Sequence, residues 1–332
     1  MNVDITQIYN KSMRFGETFC LYPFVHHHLT TSKDRKLCCI SPHTVDQQRM
    51  SEVRNLILDG QKVPECETCY KTENVKRFSR RQYALKDFRH LQSKIQKNVN
   101  DHMEGKIPVP FDYDLRYSHL CNLECQTCNA DDSSSIALSQ NKEVAFLKWE
   151  PSLEINSAAE RVYLAGGEPF LIKSFAIVLS KIENKNCEIV INTNGTVLTN
   201  FLLTELDKFT NVSFYVSIDG YKNLNEHIRK NSSWDDIVKN LKILSDRYGG
   251  YKKINVNTVV QKDNVNNLFE LGQWLEYLDI NNWKLTMCYY PEEFHYSKQK
   301  IIFDRRLYTL KLIKSNFNNF QILNEIEHAQ NQ

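Results

Sequence analysis

From residue 111 onward the apolar positions switch back and forth between two periods. Runs of near-continuous or alternating apolar residues at 111–117, 161–165, 187–192, 212–218, 254–260 and 283–288 read as strands, rich in valine, isoleucine and aromatic side chains. Between them, apolar residues recur at helical spacing over 134–148, 170–182, 198–208, 234–248 and 264–277. Alternation of this kind predicts an α/β fold with a parallel sheet and right-handed crossovers. Six strands are too few to close a standard eight-stranded barrel. A last amphipathic stretch over 305–313 and a polar tail follow the sixth strand.

The first 110 residues follow a different pattern. Residues 21–30, LYPFVHHHLT, read as a strand, with 35–40 as its hairpin partner across a polar TSKD turn. Residues 51–60 read as a short helix stopped by Gly60, and 74–97 as an amphipathic helix carrying Val75, Phe78, Leu85, Phe88, Leu91 and Ile95 on one side. Residues 98–110, with Gly105, Pro108 and Pro110, read as a loop between domains. The boundaries expected are 1–72 for a cysteine-rich module, 73–110 for a linking helix and loop, 111–290 for the α/β domain and 291–332 for a helical extension. His26, His27 and His28 sit in a row on the first strand, where two must face one way and one the other; they are expected to be surface or packing residues.

Charge and cysteine content sharpen this picture. The net charge of the 332 residues is only +2, yet residues 1–110 hold 18 Lys and Arg against 12 Asp and Glu. Nine of those basic residues fall between Lys71 and Lys97 against two acids, Glu73 and Asp87, a face for solvent or for an acidic peptide or phosphate backbone. No run of 18 apolar residues is present, so no membrane-spanning helix is expected. The N-terminal MNVDITQIYNKSMRFGETF has no apolar signal-peptide core, which implies a cytoplasmic, reducing compartment and leaves the ten cysteines free to bind metal.

Three of those cysteines, Cys121, Cys125 and Cys128, form a C-x3-C-x2-C array directly after the strand at 111–117. Three thiolates on a 4Fe-4S cube leave one iron without a protein ligand. Zinc is the competing occupant of closely spaced cysteines. It needs a fourth donor, for which His119 is the near candidate. The array, with Asn122 and Leu123 after its first cysteine, resembles the signature of the radical S-adenosylmethionine (SAM) superfamily, although Thr127 stands where that family usually has an aromatic residue. The resemblance implies a (β/α)6 partial TIM barrel in which SAM occupies the free iron and one electron from the cluster cleaves it to a 5′-deoxyadenosyl radical.

Further fragments fall at the C-terminal ends of later strands, where α/β folds gather their chemistry. Gly166-Gly167-Glu168-Pro169 resembles the family's GGEP motif, whose backbone and carboxylate receive the SAM ammonium. Asn192-Thr193-Asn194-Gly195 resembles the segment near the SAM ribose. Ser217-Ile218-Asp219-Gly220 and His227-Ile228-Arg229 resemble the SIDG and H-x-I-R pieces that contact the ribose or carboxylate, and Val260 falls where the family packs adenine. By this resemblance the cofactor-binding residues are Gly166, Gly167, Glu168, Pro169, Thr193, Asn194, Ser217, Asp219, Arg229 and Val260. Cys187 and Cys288 are simplest as buried core residues, though Cys288, at the mouth end of the last strand, is also a candidate hydrogen donor or auxiliary ligand.

The N-terminal cysteines, Cys20, Cys38, Cys39, Cys66 and Cys69, end in a C-x2-C within VPECETCYKTE. This set resembles the twitch module, a shortened SPASM domain with an auxiliary 4Fe-4S cluster, placed before the radical domain rather than after it. The ligands implied are Cys20, Cys66, Cys69 and one of the adjacent pair, Cys39 or alternatively Cys38; a four-cysteine structural zinc is the other occupant. The expected function is hydrogen abstraction from a peptide or other extended substrate, with a flavodoxin- or ferredoxin-type reductant. A nucleotide or nucleic acid is the alternative substrate, and a non-catalytic zinc- or cluster-binding adaptor is the alternative class.

Overall fold

The computed structural model describes residues 18–30, 35–74, 78–116, 118–143, 155–288 and 290–299. In chain order its strands are β1 (His26–Thr30), β2 (Arg35–Lys36), β3 (Asp112–Arg116), β4 (Glu124–Cys125), β5 (Arg161–Leu164), β6 (Glu188–Thr193), β7 (Asn211–Ser217), β8 (Arg229–Lys230), β9 (Ile254–Val260) and β10 (Asn282–Met287). The chain divides into two units, one of Met1–Tyr117, Leu147–Tyr163 and Lys181–Cys187, the other of Ser118–Phe146, Leu164–Ser180 and Glu188–Gln332.

In the first unit the strands run in the order β2-β1-β3-β5. β1 and β2 form the expected antiparallel hairpin, His28 opposite Lys36. The sequence did not reveal that β1 also lies parallel to β3, with His26 opposite Asp112 and His28 opposite Asp114. Two elements differ from expectation. The first half of the predicted strand 21–30 is a helical turn, Tyr22–Val25, because Pro23 has no N–H for a sheet ladder but suits the first turn of a helix. The predicted helix 74–97 is interrupted: Ser79 closes a capping box with Gln82 and starts the helix Arg80–Asp87, and after a 3-10 turn a second helix, Gln92–Met103, runs into the segment expected to be loop. Behind these helices Phe19, Tyr22, Phe24, Met50, Val53, Ile57, Ile95 and Val99 make a buried apolar core.

In the second unit β6, β7, β9 and β10 are successive parallel neighbours. β7 alternates buried and half-buried residues along its length, the period-2 signature of a strand packed more tightly on one face than the other. The helix Trp234–Tyr248 shows why its boundaries were readable. Ser233 caps it by accepting from Asp236 N, Asp235 and Asp236 lie in its first turn, Arg247 in its last, and Gly249 ends it at φ 89°. A two-residue antiparallel ladder, β4 with β8, stands apart from the parallel strands. The predicted helix from Ser134 is seen as Ser134–Ser139; residues 144–154 and the stretch 305–313 lie outside the described residues. Among the described residues no helix is long and apolar enough to cross a membrane.

Candidate active site and cysteine clusters

The three-cysteine loop opens the second unit and is held by its own backbone and by serines. Cys128 N donates to Cys125 O, Ser134 Oγ accepts from Cys121 N at 3.0 Å and donates to Cys121 O at 3.1 Å, and Ser133 Oγ donates to Leu123 O at 2.8 Å. Ser133 also caps the following helix, so the serine run after the cysteines fastens loop to helix. An N-cap serine before an apolar run is a readable signal; its second duty toward the loop is not.

Four other segments close on this loop. Gly167 N donates to Ser118 O and Glu168 N to Leu120 O, at 2.9 and 2.7 Å. The approach is so close that a Cβ on Gly167 would lie 2.3 Å from the Leu120 carbonyl oxygen, while Gly166 adopts φ 119°. Backbone cannot yield as a side-chain tip can, so this position requires glycine. Asn194 Nδ2 donates to Asn122 Oδ1, Asn122 Nδ2 to Thr196 Oγ1, and Thr196 back to Asn194 Oδ1, a closed ring of polar side chains tying the third motif to the cysteines. Asn122 and Thr196 were not among the expected site residues.

Glu168 is fully buried. Its Oε1 accepts from Thr193 Oγ1 at 2.7 Å and Phe170 N at 3.1 Å, and its Oε2 from Asn194 N at 2.7 Å. A carboxylate has room for about four hydrogen bonds, so acceptor capacity remains on Oε2. Burial pushes the carboxyl up to about 7, against the pull of the three donors. Pro169 is buried behind it and begins a 3-10 turn.

Arg229 lies opposite Cys125 in the β4–β8 ladder. Its Nε donates to Asp219 Oδ2 at 2.8 Å and its Nη1 lies 3.6 Å from Cys125 Sγ. Burial would lower the guanidinium's proton affinity; the Asp219 carboxylate and the Cys125 sulfur raise it above its ordinary value. Asp219 is fully buried, and its other oxygen accepts from Val259 N at 2.7 Å. Asn264 donates to the carbonyls of Asp219 and Val259, which joins the ends of β7 and β9. Ser217 is half-buried at the end of β7, Val260 fully buried at the end of β9, and Cys288 N donates to Val260 O. Cys288 is buried with its thiol toward Tyr290 O at 3.5 Å.

In the first unit the Cys20 thiol hydrogen-bonds the Cys66 sulfur, which drives Cys20 up and Cys66 down. Burial holds Cys38 up at about 12, and Cys69 and Cys66 stand near enough to add to it. Cys39 instead shares its surroundings with Cys38, Arg80 and Arg116. Arg81, from the basic run, is buried, donates to Phe19 O and pairs with Glu73, so part of that run faces inward rather than toward solvent.

Three thiols on one loop are the donor set that a 4Fe-4S cluster with one open iron takes. In the second unit burial raises all three thiols, Cys128 to about 12. They remain protonated until a cationic centre takes up their charge.

Parallel strands with a polar site at their C-terminal ends define an α/β protein of the partial-barrel kind. Residues 115–274 match the model of the radical SAM superfamily, a superfamily that implies a 4Fe-4S cluster and SAM. GTP 3′,8-cyclase of Helicobacter pylori is 27% identical over 184 residues, 53% of this chain and 54% of that protein. The tungsten-containing aldehyde ferredoxin oxidoreductase cofactor-modifying protein of Pyrococcus furiosus is 27% identical over 174 residues, 50% of this chain and 48% of that protein. The chain thus spans about half the length of these curated relatives. Among solved structures, Streptococcus suis SuiB is 16% identical with a TM-score of 0.43, over 90% of this chain and 65% of that one.

Proposed function

We propose that the chain is a radical SAM enzyme that cleaves SAM reductively and abstracts hydrogen from a peptide or other extended substrate, drawing its electron from a flavodoxin- or ferredoxin-type protein. One observation carries this reading. The GGEP, TNG, SIDG and H-x-I-R segments, scattered over more than sixty residues of sequence, all hydrogen-bond into one network around the C-x3-C-x2-C loop. A zinc adaptor has no use for a buried, partly unsaturated carboxylate or for a guanidinium set against a cysteine sulfur. When bound, the cluster on Cys121, Cys125 and Cys128 supplies the electron that cleaves SAM. Glu168 offers its remaining acceptor position to the SAM ammonium, Gly166 and Gly167 keep the loop low enough for it to reach, and Arg229 braces Cys125 while offering charge to a carboxylate.

A nucleotide is the second reading of the substrate, favoured by the similarity to GTP 3′,8-cyclase. In the first unit we assign an auxiliary 4Fe-4S cluster to Cys20, Cys66, Cys69 and Cys38, because Cys38 shares its surroundings with the other three.

The test is formation of 5′-deoxyadenosine from SAM by the reconstituted protein under reducing conditions. Cys121→Ala, Cys125→Ala and Cys128→Ala should each abolish it. Cleavage retained in the triple variant would overturn the assignment.

A further inference from the structure

His26, His28, Asp112 and Asp114 are all buried, at 3%, 2%, 1% and 3% exposure, and the radical SAM reading gives none of them work. They lie in the first unit on two parallel strands, as H-x-H on β1 and D-x-D on β3, paired residue for residue. A spacing of two puts each pair on one face of its strand. The side chains make two relays. Asp112 accepts from His26 Nδ1 at 2.6 Å and from Arg161 at 2.8 and 3.2 Å. Asp114 accepts from Arg116 Nε at 2.8 Å through Oδ1 and from Nη2 at 3.2 Å through Oδ2.

What these relays leave over is a set of donors to a cation. His26 Nδ1 is committed to Asp112, so its free lone pair is on Nε2, which is buried without a hydrogen-bond partner. His28 Nδ1 is likewise buried without one, although it faces Asp114 Oδ2 at 3.3 Å. Two ligands of one ion, with bonds of about 2.0–2.2 Å, stand about 3.0–3.4 Å apart. Among the described residues, His26, His28 and Asp114 are the trio whose donor atoms fall within 4.8 Å of one another.

We propose that His26, His28 and Asp114 bind a first-row divalent cation, with Asp112 orienting His26 from behind as carboxylates do for ligating imidazoles. Two imidazoles and one carboxylate leave coordination positions open. The site therefore admits water or an oxygen ligand, unlike a closed structural site. It is independent of the cysteine clusters and of the proposed function, and its failure leaves both standing.

The probe is Mn2+, a poor partner for thiolates that does not report on the cysteine sets. Protein reconstituted with its clusters is titrated anaerobically with MnCl2, and free Mn2+ is followed by its electron paramagnetic resonance signal. One Mn2+ per chain is expected, with 14N couplings from imidazole in the pulsed spectrum of the bound ion. His28→Gln should weaken binding at least tenfold and His27→Gln should not change it, because His27 points to the other face and stacks on Tyr113. No binding by the parent protein, or bound Mn2+ without nitrogen coupling, overturns the proposal whether or not the variant folds. Unchanged affinity in a folded His28→Gln does so too.

Discussion

Glu168 shows how much a single buried side chain carries here. Its carboxyl is lifted from 4.5 to about 7 by burial, so between those values the folded chain keeps a proton that the unfolded chain has released. A folded state that binds the extra proton loses stability as pH rises. The cluster-free chain should therefore weaken between about pH 4.5 and 7, by on the order of 3 kcal/mol for this group alone, with the full stability present only at the acid end. Glu168→Gln removes that slope while other groups keep theirs. Denaturant midpoints of parent and variant from pH 5 to pH 8 measure it, and parallel curves would show that the carboxylate is not desolvated. Glu168 was legible as a candidate because GGEP is a fixed string of residue types. Its surroundings were not, since Thr193 and Asn194 lie 25 and 26 residues further on.

Among the elements, those with local signals were readable and those made by distant pairing were not. Ser233 and Gly249 bracket the helix Trp234–Tyr248 in the sequence itself. Nothing near His26 announces that its strand partner begins 86 residues away, so two histidines taken for surface or packing residues turn out buried against carboxylates. The β4–β8 ladder belongs with the unreadable elements. Two-residue strands have no periodicity, and the structure seats Arg229 between Asp219 and Cys125, two contacts its motif did not announce. That position yields a prediction about stability. Arg229→Ala leaves the Asp219 carboxylate buried with its charge unmatched, at a cost of about 3–5 kcal/mol, and it also loosens the strand that carries Cys125. Chemical denaturation should show the loss, and the double variant Arg229→Ala/Asp219→Ala should recover part of it. A cost below about 1 kcal/mol, the range of an exposed pair, would mean that water reaches the pair.

On the scale of the whole chain, each unit presents its own set of cysteines, so iron content can be dissected by substitution. The reconstituted protein should hold about eight irons. Cys38→Ala should lower this to about four while Cys39→Ala leaves it unchanged; the reverse pattern would exchange the two cysteines, and equal retention in both would leave the first unit without a cluster. The β4–β8 ladder has a further consequence, for the order of events during synthesis. Cys125 is paired with an arginine 104 positions later. At about 5–20 residues per second, a ribosome needs roughly 5 to 20 s to supply that partner. Throughout that interval the three thiols are outside or leaving the exit tunnel with no strand to brace them, open to air and to adventitious zinc. Iron delivered early meets an unformed cradle, so maturation of this protein has to wait for translation to pass the ladder, and slowing elongation between the two strands should lower the iron content of the finished chain.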